Sequence, residues 1–201
     1  MRKTANSRPP RPSRVGMMVM SYLTLTGAAL GAVLLCAGSY AGSAYLRGNL
    51  HEVVASEAYR SAQLSDSQLS YYATAHVLKS IINLRGANPY AAWYKREIVA
   101  AKELGIAHYD FKMSANRLLP TDTADELIKR MHDAPKPLLI HCQAEADRSG
   151  LAAAIYLRRL HGADEEDAED QLSIMYGHFG IPYLSGTYAM EVSWEQVEEK
   201  S

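Results

Sequence analysis

The chain has 201 residues, of which 48% are hydrophobic, and a formal net charge of −1, so it can form one domain of ordinary size with its own core. All the charged residues within residues 1–14 are basic, which leaves the rest of the chain acidic and a poor candidate for nucleic-acid binding. Two cysteines far apart in sequence, Cys36 and Cys142, provide neither a disulfide framework nor a zinc site.

The N-terminal segment has the pattern of a membrane anchor. Residues 1–14 are basic and rich in proline, which predicts a disordered tail. Residues 15–46 carry no charged side chain, and about 20 residues suffice to cross a bilayer core, so we expect a transmembrane signal-anchor helix. The basic tail predicts a cytoplasmic N-terminus and an extracytoplasmic domain, periplasmic in a bacterium. The alternative is a signal peptide cleaved near residues 41–44, although the apolar part of such peptides usually spans only about 7–15 residues.

Residues 47–57 are expected to be a linker, and residues 58–201 a catalytic domain in which strands and helices alternate. Short apolar runs bounded by turn residues predict strands, and longer periodic segments after capping residues predict helices. The alternation predicts an α/β fold with a central, mainly parallel sheet flanked by helices. Strands are expected at Ala58–Gln63 (a short edge strand), Ser80–Leu84, Ile106–Phe111 and Leu138–His141, and helices at about Ser65–Val77, Trp93–Leu104, Thr121–His132, Ser149–Leu160 and Glu165–Tyr176.

The segment from Leu138 to Gly150 carries most of the chemistry. A buried strand leads into a short loop that begins with Cys142 and ends with Arg148 at the start of a helix. Such a loop can bind an anion through its backbone amides, and the helix N-terminus favours the thiolate form of the cysteine. Arg148 can bind two oxygens of a phosphoryl group, so the segment predicts covalent phosphoryl transfer. The loop residues expected to contact substrate are Gln143, Ala144, Glu145 and Ala146.

The pattern His-Cys-x5-Arg-Ser, from His141 to Ser149, resembles the signature of the cysteine-dependent protein tyrosine phosphatase superfamily. The short domain is similar to the dual-specificity branch, and Tyr59–Gln63 and Ile82–Arg85 are similar to its bacterial and fungal members. The resemblance covers about Tyr59 to Tyr183.

The resemblance implies a role for each residue of the motif. Cys142 would attack phosphorus and form a phosphocysteine, while Arg148 would bind the phosphate and stabilise the transition state. Ser149 would hydrogen-bond the sulfur and help to release it, and His141 would order the loop and support the thiolate. The resemblance implies that no metal or cofactor is needed.

One loop position departs from the family pattern. The family usually has glycine at the third position after the cysteine, where this chain has Glu145. If the backbone there needs a positive φ, a side chain adds strain of about 1–3 kcal/mol. The carboxylate would also weaken anion binding unless it points to solvent.

The general acid is the second departure. The family usually places an aspartate in the loop after the preceding strand, but Met113–Arg117 contains no carboxylate. Asp147 lies in the phosphate loop itself, as in some lipid-phosphate and bacterial members, and is the first candidate. Asp110 is the second, and Asp122, more simply a helix-start charge, is the third.

Other polar residues have two possible roles. Arg85 ends a strand on the expected site side and would bind substrate or form a structural salt bridge. Asn116, with Arg117, would line the rim of the pocket. The segment Tyr176–Phe179 would pack near the phosphate loop or belong to the core.

These features predict a metal-independent phosphatase that acts on phosphotyrosine or phosphoserine/threonine protein. A phospholipid or small phosphate ester is the alternative substrate, because a membrane anchor would favour a lipid. A phosphate-binding pseudophosphatase is a competing class, motivated by Glu145 and the missing loop aspartate. A sulfurtransferase or an arsenate reductase is a third, although the former usually lacks the Arg-Ser ending and the latter would need further cysteines.

Overall fold

The computed structural model describes residues 14–144 and 146–199 of the chain. The chain divides after Ser43 into two compact units, and the larger unit holds the sheet. The predicted disordered tail, residues 1–14, lies outside the described residues except for Arg14. Glu145 also lies outside the described residues.

The prediction of a transmembrane anchor is wrong. The segment forms one helix, α1 (Arg14–Leu46), but no helix in the described part of the chain is both long enough and apolar enough to cross a membrane. The prediction relied on the absence of charge from residues 15–46 and on the leucine, valine, methionine and alanine residues of Met17–Gly38. Threonines and glycines such as Thr24, Thr26 and Gly27 add little apolar transfer energy. The predicted single-pass location and the membrane partner are withdrawn with the anchor.

The larger unit contains a five-stranded mixed sheet in the order β1-β2-β5-β3-β4. β1 runs antiparallel to β2, and the other neighbouring strands are parallel. Ser61 and Asn83 both pair in register with His141, so the carboxyl ends of three strands meet at one edge. The strands are β1 (His51–Val54), β2 (Ala58–Ser61), β3 (Ser80–Asn83), β4 (Ala107–Asp110) and β5 (Leu138–His141).

Helices connect and cover the strands. Ser65 caps α2 in a capping box with Gln68, and Gly105 takes a left-handed φ of +67° just after α3. The helices of this unit are α2 (Asp66–Ala75), α3 (Ala92–Glu103), α4 (Thr121–Asp133), α5 (Asp147–Tyr156), α6 (Glu165–Glu169) and α7 (Tyr188–Glu198), with a π-helical turn at Leu157–His161 and 3₁₀ turns at Asp170–Leu172 and Ile174–Tyr176.

Several predicted elements differ from the observed ones. The expected linker, residues 47–57, contains β1, which pairs with β2 and makes β2 an interior strand instead of an edge. The helix expected over Glu165–Tyr176 is broken into α6 and two 3₁₀ turns, and α7 was not predicted. β1 is short and mixes charged with apolar residues, so only its partner strand defines it.

The main core lies between the sheet and helices α4, α5 and α7. Leu127 and Met131 of α4 are fully buried at helical spacing, and Met190 and Trp194 of α7 repeat that pattern. Residues 149–156 of α5 are all buried, so this helix runs through the middle of the domain. Because α5 begins where the loop after β5 ends, the best-packed helix fixes the position of that loop.

Candidate active site

Cys142 lies directly after β5, where the strand leaves the sheet. The residue is 2% exposed, and its Sγ lies 3.4 Å from Oγ of Ser149 on the first turn of α5. The first helical hydrogen bond runs from N–H of Gly150 to O of Ala146, and no side chain caps the helix. The amides of the first turn therefore have no acceptor within the helix, which suits a bound anion.

Arg148 supplies a buried donor beside this loop. Its Nε is buried and has no hydrogen-bond partner among the described residues. Buried guanidinium donors are normally paired, because an unpaired one loses its hydration without compensation. A phosphoryl oxygen would provide the acceptor that Arg148 needs.

A fully buried arginine holds the end of the loop. Nη1 of Arg60 donates to O of Gln171 at 2.8 Å, and Nη2 donates to O of Ala146 at 3.4 Å. The guanidinium also lies 4.4 Å from the ring centre of Tyr176. A Cβ at Gly150 would come within 2.8 Å of O of Gln171 and 3.2 Å of Nη2 of Arg60, so this close approach requires glycine.

A carboxylate between two histidines lies beneath the start of the loop. Oε1 of Glu97 is 3.1 Å from Nε2 of His141 and 2.8 Å from Nε2 of His108. Nε2 of Gln63 donates to the other oxygen, Oε2. Nδ1 of His141 lies 3.3 Å from O of Cys142, so the network fixes the residue that precedes the cysteine.

The surroundings of Glu97 hold it in the ionised form. Burial by itself raises the pKa of this carboxyl. Attraction to His141 and the hydrogen bonds from His108, His141 and Gln63 outweigh burial and lower the pKa well below its usual value. Glu97 is 6% exposed, so it is a buried charge stabilised by its partners.

The same three side chains are the candidates for binding a metal in the described part of the chain. The ligand atoms of Glu97, His108 and His141 lie within 4.8 Å of one another. Both ring nitrogens already meet the same carboxylate oxygen. A cation bound here would have to break these hydrogen bonds. The three side chains therefore form a hydrogen-bonded network.

A second network joins Asp147 to a buried histidine. Oδ1 of Asp147 lies 2.8 Å from Nδ1 of His178, and Nε2 of the same ring lies 3.2 Å from Oε1 of Glu191. Here one imidazole bridges two carboxylates. His178 is 2% exposed, whereas the side chain of Asp147, in the first turn of α5, is 24% exposed.

The other two acid candidates have different surroundings. Oδ1 of Asp110 accepts from Nδ2 of Asn83 at 2.9 Å, and Oδ2 accepts from the hydroxyl of Tyr94 at 2.5 Å. Asp122 is exposed and accepts from N–H of Thr123 at 2.7 Å, as a helix-start residue does. Both oxygens of Asp110 are thus engaged, and Asp147 is the better-placed candidate.

Arg85 lies at the edge of the site, two residues after the end of β3. N–H of Leu84 donates to O of His141, which brings Arg85 beside Cys142. Nη1 of Arg85 donates to Oε1 of Gln63 at 2.9 Å, and its guanidinium lies 3.6 Å from the ring centre of Trp93. Burial lowers the pKa of Arg85, as does the charge of Arg148, while Cys142 acts in the opposite direction.

The remaining predicted site residues lie in different places. Gln143 and Ala144 are exposed at the loop surface, and O of Gln143 accepts from N–H of Gln63. Asn116 is exposed, and its side chain lies beside Gly186, where a Cβ would come within 3.2 Å of it. The described contacts of Asn116 therefore do not place it at the phosphate loop.

Several residues of these networks, His108 among them, were not identified from the sequence. Arg60 lies in the segment Tyr59–Gln63, whose similarity to bacterial and fungal members assigns it no role. Glu191 lies on α7, which was not predicted. Glu97 shares a buried helical face with Ala101, four positions later, and this spacing was the one available signal. His178 lies in the segment Tyr176–Phe179, for which the sequence predicts either packing near the phosphate loop or a position in the core.

The domain has the fold of known cysteine-based phosphatases. TpbA of P. aeruginosa, in a structure with pTyr, is 17% identical over 76% of this chain and 86% of that one, with a TM-score of 0.59. The catalytic core of the PP-IP phosphatase Siw14 of S. cerevisiae is 22% identical over 76% and 91% of the two chains, with a TM-score of 0.57. The resemblance to this superfamily, inferred from the sequence, is confirmed in the fold. No protein-family model and no curated protein matches the sequence.

Proposed function

We propose that the protein is a metal-independent phosphomonoester hydrolase that acts through a phosphocysteine at Cys142. The observation that carries the proposal is the arrangement at the start of α5. A cysteine Sγ lies 3.4 Å from a serine hydroxyl, and the neighbouring Arg148 has a buried Nε with no partner in the described part of the chain. Nucleophile, anion ligand and helix N-terminus then converge on one short loop.

In the first step, the thiolate of Cys142 attacks phosphorus and the bond to the leaving oxygen breaks. Arg148 and the first-turn amides bind the phosphoryl oxygens where charge is spread in the transition state. Asp147 gives its proton to the leaving oxygen, which departs as the alcohol or phenol. The phosphoryl group remains on sulfur.

In the second step, water attacks the phosphocysteine and the sulfur–phosphorus bond breaks. Asp147, now a carboxylate, accepts the proton of the attacking water, and the products are phosphate and the thiolate of Cys142. The hydroxyl of Ser149 donates to the departing sulfur, consistent with their 3.4 Å separation. His141, held by Glu97, directly precedes Cys142 and keeps the nucleophile in position.

We propose phosphotyrosine or phosphoserine/threonine protein as the substrate. The structure of TpbA with pTyr supports a phosphorylated side chain. The exposed loop residues and the Arg85–Trp93 stack leave a cationic and aromatic rim beside Cys142, which suits a peptide substrate. Because Siw14 is a PP-IP phosphatase, the test also includes an inositol phosphate as an alternative substrate.

The test measures phosphate release by the full-length protein with excess chelator. The substrates are a generic aryl phosphate, phosphotyrosine and phosphoserine peptides, and an inositol phosphate. The two cysteines supply a matched pair of variants, Cys142→Ser and Cys36→Ser. We expect turnover that resists chelation, is unchanged in Cys36→Ser and falls at least about 10⁴-fold in Cys142→Ser.

A folded protein without turnover on any ester, but with bound vanadate or phosphate, would favour the pseudophosphatase. Turnover that survives in Cys142→Ser would rule out a phosphocysteine. Turnover confined to the inositol phosphate would keep the chemistry and reject the protein substrate.

A further inference from the structure

His178 is a buried imidazole between two carboxylates. Its Nδ1 lies 2.8 Å from Oδ1 of Asp147, and its Nε2 lies 3.2 Å from Oε1 of Glu191. A carboxylate supplies acceptors alone, and a neutral imidazole has one N–H. If both contacts are hydrogen bonds, the three groups together hold two protons, one for each contact.

The proton count allows two states. In one, His178 is an imidazolium between two carboxylates. In the other, the ring is neutral and either Asp147 or Glu191 is protonated. The two states differ only by movement of protons along these two contacts, so the array can place a proton on Asp147 without solvent entering the buried side.

The charges around Glu191 favour keeping a proton in the array. Burial raises the pKa of this carboxyl, and the charges of Glu169 and Glu195 act in the same direction, while His178 opposes them. On the other side, Arg148 follows Asp147 in the chain and Arg60 binds the neighbouring carbonyl of Ala146. The array therefore has acidic neighbours at the Glu191 end and cationic neighbours at the loop end.

The backbone holds this arrangement tightly. N–H of His178 donates to O of Ser173, and Gly177 before it has a left-handed φ of +82°. A Cβ at Gly180 would come within 2.8 Å of the side chain of Glu191 and within 2.9 Å of Nε2 of His178. The chain thus crosses directly over the His178–Glu191 contact, and glycine makes that possible.

We propose that His178 and Glu191 are positioning residues that hold Asp147 towards the leaving group and return a proton to it during each reaction cycle. The inference depends on the proposed function, because it concerns the acid of that reaction. Before the first step, Asp147 carries its catalytic proton on the oxygen that does not contact His178, and the two protons of the array lie on Nδ1 of His178 and on Glu191. When Asp147 gives the catalytic proton to the leaving oxygen, the proton of Nδ1 can move to Oδ1 of Asp147. Nε2 then accepts a proton from Glu191, and the reverse transfers follow when water attacks the phosphocysteine. No proton is gained or lost over the cycle, apart from that of the water consumed.

The test compares leaving groups in the full-length protein. His178→Asn keeps a donor near Asp147 but cannot relay a proton, and Glu191→Gln removes the far carboxylate. We expect kcat on phenyl phosphate to fall at least about 10-fold in both, with less than about 3-fold change on 2,4-dinitrophenyl phosphate, which needs no acid. The exposed His132→Asn is the matched control and should leave both rates unchanged.

Equal losses on both esters would overturn the proposal, since a purely structural role would lower both rates together. Unchanged rates on both esters would overturn it as well.

A second readout needs no turnover. Nitrogen NMR of the His178 ring in the full-length protein should show proton occupancies of Nδ1 and Nε2 that change when Glu191 is replaced by Gln or Asp147 by Asn. If the nitrogen signals of the His178 ring are the same in wild type and in both variants, the three groups do not share protons. If no ester is hydrolysed, the proposed function fails, and the NMR result still decides whether the three groups share protons.

Discussion

Two networks of histidine and carboxylate flank the phosphate loop, and they are built in opposite ways. Beneath the start of the loop, the carboxylate of Glu97 lies between His108 and His141. At the end of the loop, the imidazole of His178 lies between Asp147 and Glu191. The first arrangement keeps one negative charge fixed among donors. The second leaves protons that can move between acceptors.

The contrast separates structural support from chemistry. Donors surround Glu97, so its carboxylate is ionised near neutral pH. Removal of this charge should mainly lower the stability of the fold. Asp147 shares protons with His178 and is partly exposed, so replacement of its carboxyl should mainly lower kcat. The following predictions test this division.

The largest expected effect is on catalysis by Asp147→Asn. Asparagine has nearly the same shape but cannot give a proton to the leaving oxygen. We expect kcat on phenyl phosphate to fall about 10²–10⁴-fold, with much less effect on 2,4-dinitrophenyl phosphate. Steady-state kinetics with both esters measures this, and the unfolding free energy should change by less than about 1 kcal/mol.

Asp110→Asn serves as the rival in the same assay. A larger leaving-group-dependent loss in Asp110→Asn than in Asp147→Asn would assign the acid to Asp110. It would also remove the basis for treating the Asp147 network as the chemical one.

The next effect is on stability. Glu97→Gln removes the charge that His108 and His141 surround, and should lower the free energy of unfolding by about 3 kcal/mol near neutral pH. Denaturant unfolding of wild type and variant measures it. As a control, Glu103→Gln changes a carboxyl at the exposed end of the same helix.

The effect should depend on pH with a defined sign. The pKa of Glu97 lies below the ordinary value of 4.5, so its contribution is complete above that pH and declines as the pH falls below it. The difference between wild type and Glu97→Gln should narrow between about pH 5 and about pH 3. A difference that stays constant over this range would mean that the charge does not stabilise the fold.

The smallest effect concerns Tyr94. Its hydrogen bond to Asp110 raises the pKa of the phenol from 10.0 to about 12, and burial adds to the shift. Because the folded pKa is the higher one, the stabilisation is complete below pH 10 and lost as the pH rises towards about 12. Tyr94→Phe should cost about 1 kcal/mol at neutral pH and make the alkaline loss of stability shallower.

Tyr90→Phe is the matched control, because Tyr90 is 93% exposed. Equal alkaline profiles for the two variants would show that the Tyr94–Asp110 bond adds nothing to stability. The hydrogen bond from Asn83 would then be the structural contact that remains to Asp110 among the described hydrogen bonds.

Local patterns predicted the parts of the molecule that local forces determine. The strand Leu138–His141 has the predicted bounds, and the loop that begins with Cys142 follows it. The next helix, α5, begins at Asp147, two residues before the predicted start at Ser149, so Arg148 lies in its first turn. The antiparallel β1 was not predicted, because its pairing with β2 defines it more than its own residues do.

The two networks could not be predicted for the same reason. Glu97 and His141 are 44 positions apart, and His178 and Asp147 are 31 positions apart. Glu97 is brought to His141 by the packing of α3 beside the sheet, and His178 reaches Asp147 from the irregular segment that precedes α7. The anchor prediction is contradicted by a separate finding, since no helix among the described residues is both long enough and apolar enough to cross a membrane.

The most direct test of the account is to trap the intermediate. The full-length protein, mixed with an aryl phosphate and quenched in acid within its first turnovers, would be digested and examined by mass spectrometry. We expect one phosphoryl group on the peptide that contains Cys142, absent from Cys142→Ser and unaffected by Cys36→Ser. Product formation with no phosphoryl group on Cys142 at any quench time, or with the group on another residue, would contradict the account.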